Sequence, residues 1–513
     1  MKQQVFNPYL PSWEYIPDGE PYVFGDRLYI YGSHDKFDGD QFCMNDYVCW
    51  SAPTDDLSQW RYEGVIYRKD QDPRYLEKEA FMFAPDVQKG PDGRYYIYYI
   101  QGGEGIMAVA VCDEPAGQYE FYGYVRSQDG HIIGAQEGDI DQFDPGVFID
   151  DDGRVFLYTG FGPKEDKRGA NFHWRPFEGG YVIELEADML TAKGEPVLIV
   201  PKYGKAEETS FEGHEFFEAS SMRKIGNTYY FIYSSINSHE LNYATSQYPD
   251  RDFVYGGTIV SNGDIGLHGR REEDRVSYTG NTHGSIVEVN GQWYVFYHRQ
   301  TNRHCYSRQG CAEPIRIMPD GSIPQVEITS CGLNGKPLTG KGTYGAYIAC
   351  SLTGKNGAGH YSNKKEDYAG HPYFTQDGPD YTPVPGTEGS EDAWKGASGT
   401  PVPYIAEITD GTLIGYKYFD LRGTTQIEVE VRVTPTDEKT ENSKGLEAAD
   451  KTATGKFLIK REPNGAVLAE IPIRAGEEYQ TFSAGFPGGS EKDALYFRYI
   501  GKGAIDMKSF TLN

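Results

Sequence analysis

Three carboxylates occupy equivalent places in this sequence. Asp18, Asp144 and Glu218 each come directly before a stretch in which a glycine turn is followed by a run of aromatic or β-branched residues. Carboxylates that meet in one pocket can give and take protons as general acid and general base. The first question is therefore whether the fold brings these three side chains together.

The glycine-turn stretch recurs through the first two thirds of the chain. Its five copies lie at residues 25–31, 92–98, 152–158, 226–233 and 291–297. A period of roughly 60–75 residues is typical of whole antiparallel sheets rather than of single hairpins. We therefore expect an all-β fold in which residues 1–332 form a five-bladed β-propeller. The innermost strands of a propeller converge at one end, where side chains distant in sequence share a pocket.

The remainder, residues 333–513, predicts a second domain behind a linker at 333–337. Residues 427–433 (IEVEVRV) alternate strictly, as a half-buried strand does. Residues 457–461 and 466–469 flank a Pro-Asn-Gly turn signal and predict a hairpin. These signals indicate a β-sandwich of jelly-roll type.

Residues 361–400 lie inside this second domain but lack its strand pattern. They are rich in Gly, Asp, Pro and Ser and show little periodicity, so we expect long loops there. Three aromatic residues of the domain, Tyr381, Trp394 and Tyr416, either bind sugar or are buried.

Composition narrows the class of partner. The 513 residues include 41 Tyr, 26 Phe and 62 Gly, which suits pleated strands joined by tight turns. A formal net charge of −27 argues against nucleic acid or an anionic membrane as the partner. We find no apolar leader or membrane-spanning run and expect a cytoplasmic location. The seven cysteines lack the paired spacing of zinc sites and are expected to be reduced strand residues.

Motifs along residues 7–330 resemble, in the correct order, those of glycoside hydrolase family 43. The matching segments are Asn7 and Pro8 with Asp18, 83–87 (FAPDV), 143–145 (FDP), 217–221 (FEASS) and 281–286 (NTHGSI). The resemblance implies a five-bladed propeller enzyme acting on arabinose- and xylose-containing glycans. Residues 404–411 and 414–419 resemble, more weakly, a family 6 carbohydrate-binding module.

The resemblance also implies roles for the three carboxylates. Asp18 would be the general base and Glu218 the general acid, while Asp144 would orient Glu218 and raise its pKa by like-charge proximity. Hydrolysis with inversion needs acid and base about 6.5–9.5 Å apart, so that a water fits between base and sugar. The predicted outcome is inversion.

Two assignments have competitors in the sequence. Gly19 follows Asp18 where the family usually has proline, and Glu20 offers a second carboxylate. Glu212 and Glu215 lie close to Glu218, which we prefer because the phenylalanines just before it would dry its surroundings. Glu215 is the alternative acid.

Other residues are candidates for contacts with the sugar. Phe83, Trp50 and Phe143 would offer flat apolar surfaces for stacking on sugar rings. Asp86 either binds a substrate hydroxyl or serves packing between blades. Arg308 matches a family position that reaches the sugar.

His283 is the candidate metal ligand. In the family, a histidine at this place lies on the propeller axis and binds a structural calcium ion, directly or through water. Because calcium prefers oxygen ligands, the alternative is a plain hydrogen-bonded histidine. The chemistry itself requires no cofactor. His34, His268, His298 and His304 are expected to be structural or rim residues.

These observations together predict an exo-acting α-L-arabinofuranosidase or β-xylosidase. Its substrates would be short arabinose- or xylose-containing oligosaccharides, since intact polysaccharide does not enter cells. An endo-arabinanase and a non-catalytic sugar-binding propeller remain as alternatives. Fructan-cleaving propeller hydrolases are disfavoured because their Asn-Asp-Pro-Asn-Gly motif is absent from the first blade.

Overall fold

The computed structural model describes residues 3–76, 80–164, 178–377, 401–435 and 452–513. Within these ranges the chain forms 31 β-strands and five short 3-10 helices, so the predicted all-β class is confirmed. No helix among them is long and apolar enough to cross a membrane. The 3-10 helices are Leu267–Gly269, Glu272–Asp274, Gly332–Asn334, Ala346–Ile348 and Lys365–Tyr368.

The first nineteen strands form five antiparallel sheets, each built from consecutive strands. The first sheet contains β1 (Glu20–Phe24), β2 (Arg27–Tyr31), β3 (Tyr47–Pro53) and β4 (Arg61–Tyr67). The second contains β5 (Asp86–Lys89), β6 (Tyr95–Ile100), β7 (Met107–Cys112) and β8 (Glu120–Tyr124). The third contains β9 (Gly146–Ile149), β10 (Val155–Phe161), β11 (Gly179–Leu185) and β12 (Val197–Pro201). The fourth contains β13 (Phe216–Ile225), β14 (Thr228–Ser235), β15 (Glu240–Ser246) and β16 (Val254–Ser261). The fifth contains β17 (Ile286–Val289), β18 (Gln292–Gln300) and β19 (Arg308–Ile315).

Each repeated glycine-turn stretch supplies the second strand of one sheet. The turn glycines adopt positive φ, as at Gly25 (64°) and Gly291 (82°), where a side chain would be strained. The aromatic run that follows is buried on both faces, as along β6 and β14. Both faces are buried because each sheet packs between two others.

The five sheets close on themselves. Apolar clusters join the first sheet to the second, the second to the third, the third to the fourth and the fourth to the fifth. A further cluster joins the fifth sheet back to the first through residues such as Ile30 and Phe296. The first strands are the innermost, since β9 lies beside β5 and β13, and β17 beside β1. A parallel bridge between Gly19 and Gly284 joins the starts of the first and fifth sheets.

Beyond β19, the strands in the described ranges form two six-stranded sheets. One contains β20 (Leu338–Thr339), β22 (Ser351–Thr353), β25 (Leu413–Asp420), β27 (Ala453–Lys460), β28 (Ala469–Ala475) and β30 (Asp493–Lys502). The other contains β21 (Gly342–Gly345), β23 (Tyr373–Asp377), β24 (Val402–Ile408), β26 (Gln426–Val433), β29 (Gln480–Gly485) and β31 (Ile505–Leu512). Inward residues of both sheets, including Phe457 and Phe510, form one apolar cluster.

Several sequence predictions can be compared with these strands. The alternating segment at 427–433 lies in β26, and the predicted hairpin pairs β27 with β28. Its second strand begins at Ala469 rather than at residue 466, because the chain first turns at Glu462 and Gly465. The predicted loop region contains strand β23, which pairs with β24 despite its weak periodicity. Tyr416 is fully buried, whereas Tyr381 and Trp394 lie outside the described residues.

Buried polar contacts fasten the C-terminal sheets to the first five. The Lys417 ammonium of β25 donates to Asp264 and Glu327, at 3.0 Å each. A separate contact holds the N-terminal segment to the fifth sheet, where the Asn7 side chain donates to Glu313 of β19 at 2.9 Å and to the Thr329 carbonyl at 3.0 Å. Each contact joins segments that are far apart in sequence.

Candidate active site

A cavity of 340 Å³ opens where the first strands of the five sheets converge. All three predicted carboxylates line it: Asp18 just before β1, Asp144 just before β9, and Glu218 in β13. Its volume lies at the lower end of the range of about 300–1,000 Å³ seen for small-molecule sites. A larger groove of 1,120 Å³, between residues such as Asn290 and Arg422, contains none of these carboxylates.

The backbone bends unusually at each carboxylate. Asp18 and Asp144 adopt φ of 57° and 43°, and Ala219, next to Glu218, adopts 70°. The register of β13 against β14 also shifts on both sides of Glu218. Such left-handed conformations are uncommon outside glycine and cluster at functional sites. Here they turn each carboxylate out of the sheet edge into the shared cavity.

Asp18 is held as an ionised carboxylate. Its two oxygens accept hydrogen bonds from the Arg308 guanidinium at 3.0 Å and from the Ser33 hydroxyl at 2.6 Å. Burial alone would raise the pKa of Asp18, but the charge of Arg308 outweighs burial and holds that pKa well below its usual range. Asp18 is therefore poised to accept a proton.

Arg308 is itself fixed by Asp35, which accepts from its Nε at 2.8 Å and from its Nη2 at 3.0 Å. On the other side of Asp18, His298 donates through Nε2 to the Asn281 carbonyl and accepts the Asp18 amide N–H through Nδ1. Sequence reasoning assigned no role to Asp35 and placed His298 among structural residues. The segment 33–35 directly after β2 was the available signal.

Glu218 lies in the opposite electrostatic environment. Burial, reinforced by the charge of Asp144, raises the pKa of Glu218 to about 8. Asp144 accepts a hydrogen bond from the Ala219 amide at 3.0 Å, which fixes it beside Glu218. Glu218 is therefore protonated at neutral pH while Asp18 is ionised. Glu215 does not line the cavity and Glu212 is exposed.

His283 lies at the bottom of the cavity, close to Asp144 and Asp18. Its Nδ1 is 3.3 Å from Asp144 and 3.9 Å from Asp18. Burial would lower its pKa, but Asp144 and then Asp18 raise that pKa to about 9. Its Nε2 is buried without a hydrogen-bond partner and lies 3.9 Å from Glu20 Oε1, which is also unpartnered.

Two of the acidic residues serve the fold beneath the cavity rather than the cavity itself. Glu20 does not line it and instead pairs with Arg223 at 2.9 Å. Asp86, a candidate for binding a substrate hydroxyl, does not line it either. It is fully buried and accepts from Tyr22 at 2.8 Å and from the Val147 amide at 2.6 Å, so it joins the first three sheets. The structure thus favours Asp18 over Glu20 as the cavity carboxylate.

Aromatic rings form one wall of the cavity. Phe83 and Phe143, both predicted, line it together with Phe161 and Phe217. Successive ring centroids are 5.2, 5.1 and 5.4 Å apart along this wall. Sequence reasoning did not single out Phe42 or Tyr361, which also line the cavity. Tyr361 comes from the C-terminal part of the chain, where no motif pointed to it.

The prediction that Trp50 contacts the sugar is wrong. Trp50 lies in β3 and is only 2% exposed, inside the apolar cluster between the first and fifth sheets. Its indole N–H donates to Glu14 at 2.8 Å. Trp50 lies within β3, and its side chain packs in the cluster between the first and fifth sheets rather than lining the cavity.

Among the described residues, no three side chains of the His, Cys, Asp and Glu types converge as a metal site. The seven cysteines are free thiols, and all but Cys112 are buried. The cavity therefore offers proton-transfer groups, one ionised and one protonated, beside an apolar wall. An all-β chain with such a cavity has the features of a glycoside hydrolase.

Comparison with known proteins agrees with this class. Residues 15–323 match the model of glycosyl hydrolases family 43. The chain is 49% identical to a xylosidase/arabinosidase of Thermoclostridium stercorarium, covering all of this chain and 99% of that protein. It is 32% identical to xylosidase/arabinosidase 43A of Humicola insolens, covering 55% of this chain and 88% of that one. A solved family 43 β-xylosidase/α-arabinofuranosidase from a compost metagenome, in complex with xylotriose, is 27% identical over 61% of this chain and 95% of its own, with a TM-score of 0.47.

The chain belongs to family 43 of the glycosyl hydrolases and is a glycoside hydrolase.

Proposed function

We propose that this enzyme is an inverting exo-glycosidase that releases terminal α-L-arabinofuranose, β-D-xylose or both from xylan- or arabinan-derived oligosaccharides. The observation that carries the proposal is the contrast between Asp18 and Glu218 within one cavity. Arg308 stabilises the charge of Asp18, whereas burial and Asp144 favour the protonated form of Glu218. One group is thus prepared to take a proton and the other to give one.

In the proposed reaction, Asp18 removes a proton from a water molecule on one face of the sugar. Glu218 protonates the oxygen of the leaving group as the glycosidic bond breaks on the other face. Asp144, fixed by the Ala219 amide, keeps Glu218 oriented and its pKa high. The phenylalanine wall excludes water and offers C–H stacking surfaces to the ring.

The substrate class is supported by relatives named xylosidase/arabinosidase and by the size of the cavity. β-D-Xylopyranose and α-L-arabinofuranose place comparable hydroxyls around the scissile bond, so one pocket can accept both. A small cavity favours binding of a chain end over binding along a polysaccharide.

The test is hydrolysis of 4-nitrophenyl β-D-xylopyranoside and 4-nitrophenyl α-L-arabinofuranoside, with NMR of the sugar at early times. Inversion predicts α-xylose from the first substrate and β-arabinofuranose from the second. Release of the retained anomer would overturn the mechanism, and no release from either substrate would overturn the substrate class. Arabinan that is shortened internally without release of free arabinose would indicate the endo mode instead.

We further propose that the five sheets are the blades of a five-bladed propeller and that the two six-stranded sheets form a sandwich domain, with a boundary near residue 332. The cyclic series of apolar clusters and the bridge from Gly19 to Gly284 support the first part. The apolar cluster shared by the two larger sheets supports the second. The resemblance of this second domain to a carbohydrate-binding module stays a prediction.

An axial calcium ion also belongs to the proposal. The buried, unpartnered Nε2 of His283 and Oε1 of Glu20 lie 3.9 Å apart and would share an ion once Nε2 has lost its proton, which the raised pKa of about 9 otherwise retains. Calcium takes six to eight ligands, so water would complete most of the shell. Removal of metal with a chelator should lower the melting temperature, and added calcium should restore it. A melting temperature that is unchanged by the chelator and by added calcium would overturn the proposed calcium site.

A further inference from the structure

A loop from the C-terminal part of the chain crosses the rim of the five-sheet region beside the cavity. We call residues 358–368 the crossing loop. Arg275 donates to the carbonyls of Ala358 and Gly359, at 2.9 and 3.2 Å. Further along, the loop's Lys365 pairs with Asp38 at 2.7 Å. The loop is thus held at both ends by Arg275 and Asp38, which lie in segments that connect strands of the five-sheet region.

The middle of the crossing loop is tied to segments that form the cavity. His360 hydrogen-bonds to Thr279 at 3.1 Å, two residues before the cavity residue Asn281. The Cys305 thiol donates to Asn363 at 3.0 Å, three residues before Arg308. Within the loop, the Tyr368 hydroxyl donates to the His360 carbonyl at 2.6 Å. Tyr361 lies between these ties, so its position is fixed from both sides.

Tyr361 occupies the open side of the cavity. The side chain lines the cavity yet is 42% exposed, whereas Glu218 is 9% exposed and Asp18 only 4%. Burial raises the pKa of the Tyr361 hydroxyl, with Cys305 and Glu218 among the groups that add to the rise. Tyr361 therefore lies in the same cavity as the proposed acid and is the more exposed of the two residues.

The leaving group of a glycosidase departs on the side of the acid, because the acid protonates the oxygen that joins the two sugars. A half-exposed aromatic ring on that side offers a face to the C–H groups of the departing sugar. We propose that Tyr361 is a specificity-determining residue that binds the leaving-group pentose of the substrate by stacking. This inference rests on the proposed function and adds a leaving-group subsite supplied by the C-terminal part of the chain.

The experiment compares two substrates that share the cleaved xylose and differ in leaving group. Xylobiose has a leaving sugar that can stack on Tyr361, whereas β-D-xylosyl fluoride has none. In Tyr361→Ala, the ratio of kcat/KM for xylobiose to kcat/KM for the fluoride should fall about tenfold, chiefly through KM. Tyr361→Phe keeps the ring and should retain most of the wild-type ratio. Tyr248→Ala removes a tyrosine of similar exposure, 44%, far from the cavity and should leave the ratio unchanged.

Each outcome decides between the alternatives. A ratio that is unchanged in Tyr361→Ala would overturn the subsite, and so would an equal loss on both substrates, which would indicate a structural role. A loss in Tyr361→Phe as large as that in Tyr361→Ala would assign the effect to the hydroxyl and overturn stacking. Wild-type enzyme that cleaves neither substrate would instead overturn the proposed xylosidase activity.

Discussion

The two proposed catalytic residues are both buried carboxyls, and their neighbours give them opposite charge states. Asp18 has a guanidinium at 3.0 Å, whereas Glu218 has the Asp144 carboxylate as its principal charged neighbour. Desolvation acts on both residues in the same direction, so the neighbouring charges decide which one keeps its proton. Because Asp18 must be ionised and Glu218 protonated for the proposed reaction, the rate of hydrolysis should depend on pH on both the acidic and the alkaline side.

The fall of kcat/KM at alkaline pH should follow the loss of the proton from Glu218. The acid works only when protonated, and its pKa is raised to about 8, so kcat/KM should hold through neutral pH and fall as pH rises through about 8. In Glu218→Gln, kcat should drop by about 10²–10⁴ and the fall near pH 8 should disappear. Rates on xylobiose across pH measure both effects, because its leaving sugar needs a proton from the acid, whereas 4-nitrophenolate leaves without one. An unchanged alkaline limb in the variant would assign that limb to another group.

The acidic limb of the pH profile should follow the ionisation of Asp18 and should therefore depend on Arg308. Replacing it in Arg308→Met removes the cation that counters burial, so the pKa of Asp18 should rise. Because the base works only when ionised, the acidic limb of kcat/KM should move to higher pH. Arg94→Met breaks an exposed pair with Asp92 and is the matched control, with an unshifted profile. An acidic limb that stays in place in Arg308→Met would contradict the role of Asp18 as the base.

Sequence reasoning identified the cavity carboxylates, Arg308, His283 and two of the wall phenylalanines because motif and order fix where those residues fall. It wrongly placed Trp50 at the sugar, and it left Asp86 undecided between a sugar contact and packing between blades, for a physical reason. Strands buried on both faces carry apolar residues in a continuous run, so the sequence does not reveal which side faces a ligand. The pairing of Arg308 with Asp18 was equally hidden, because the two residues lie 290 positions apart along the chain.

At the level of elements, the cavity depends on how the first strands begin. The second strands were predictable because a positive-φ glycine precedes each aromatic run. The outer strands and their partners were not, because their pairing depends on contacts between neighbouring sheets. Strand β23 shows the limit, since its pairing with β24 and not its own periodicity makes it a strand.

A substitution at Gly284 would test whether the position of the first strands controls activity. A Cβ on this residue would lie 2.0 Å from the Phe296 carbonyl oxygen, so the backbone would have to shift. Because Gly284 bridges Gly19, the shift would move both Asp18 and His283. Gly284→Ala should lower the free energy of unfolding by about 1–3 kcal/mol and reduce kcat more than tenfold.

The matched control for Gly284 is Gly194→Ala, where an added Cβ meets nothing within 4 Å. Urea denaturation and initial rates measure both variants. Equal stability and activity in the two variants would refute the proposed coupling between the bridge and the carboxylates.

At the scale of the whole molecule, the C-terminal sheets are fastened to the first five sheets through Lys417. This ammonium is 5% exposed and pairs with Asp264, which is 3% exposed. Lys417→Met would leave a buried carboxylate without its cation, which typically costs about 3–5 kcal/mol. Urea denaturation should show that loss of unfolding free energy.

Lys456→Met is the control for Lys417, because it breaks an ion pair whose members are 41% and 52% exposed. Such exposed pairs contribute about 0–1 kcal/mol, so little change is expected. A similar small change in Lys417→Met would mean that the buried pair does not hold the two parts together.

The pairing of Asp18 with Arg308 has a consequence for how the enzyme comes into being. The proposed base lies in the opening residues of the chain, and its cation belongs to the last sheet of the cycle, 290 residues later. A growing polypeptide that ends just before Arg308 already contains Asp18 but lacks the guanidinium that keeps Asp18 ionised. The proposed base therefore cannot be readied before Arg308 has been synthesised and the fifth sheet has packed against the first.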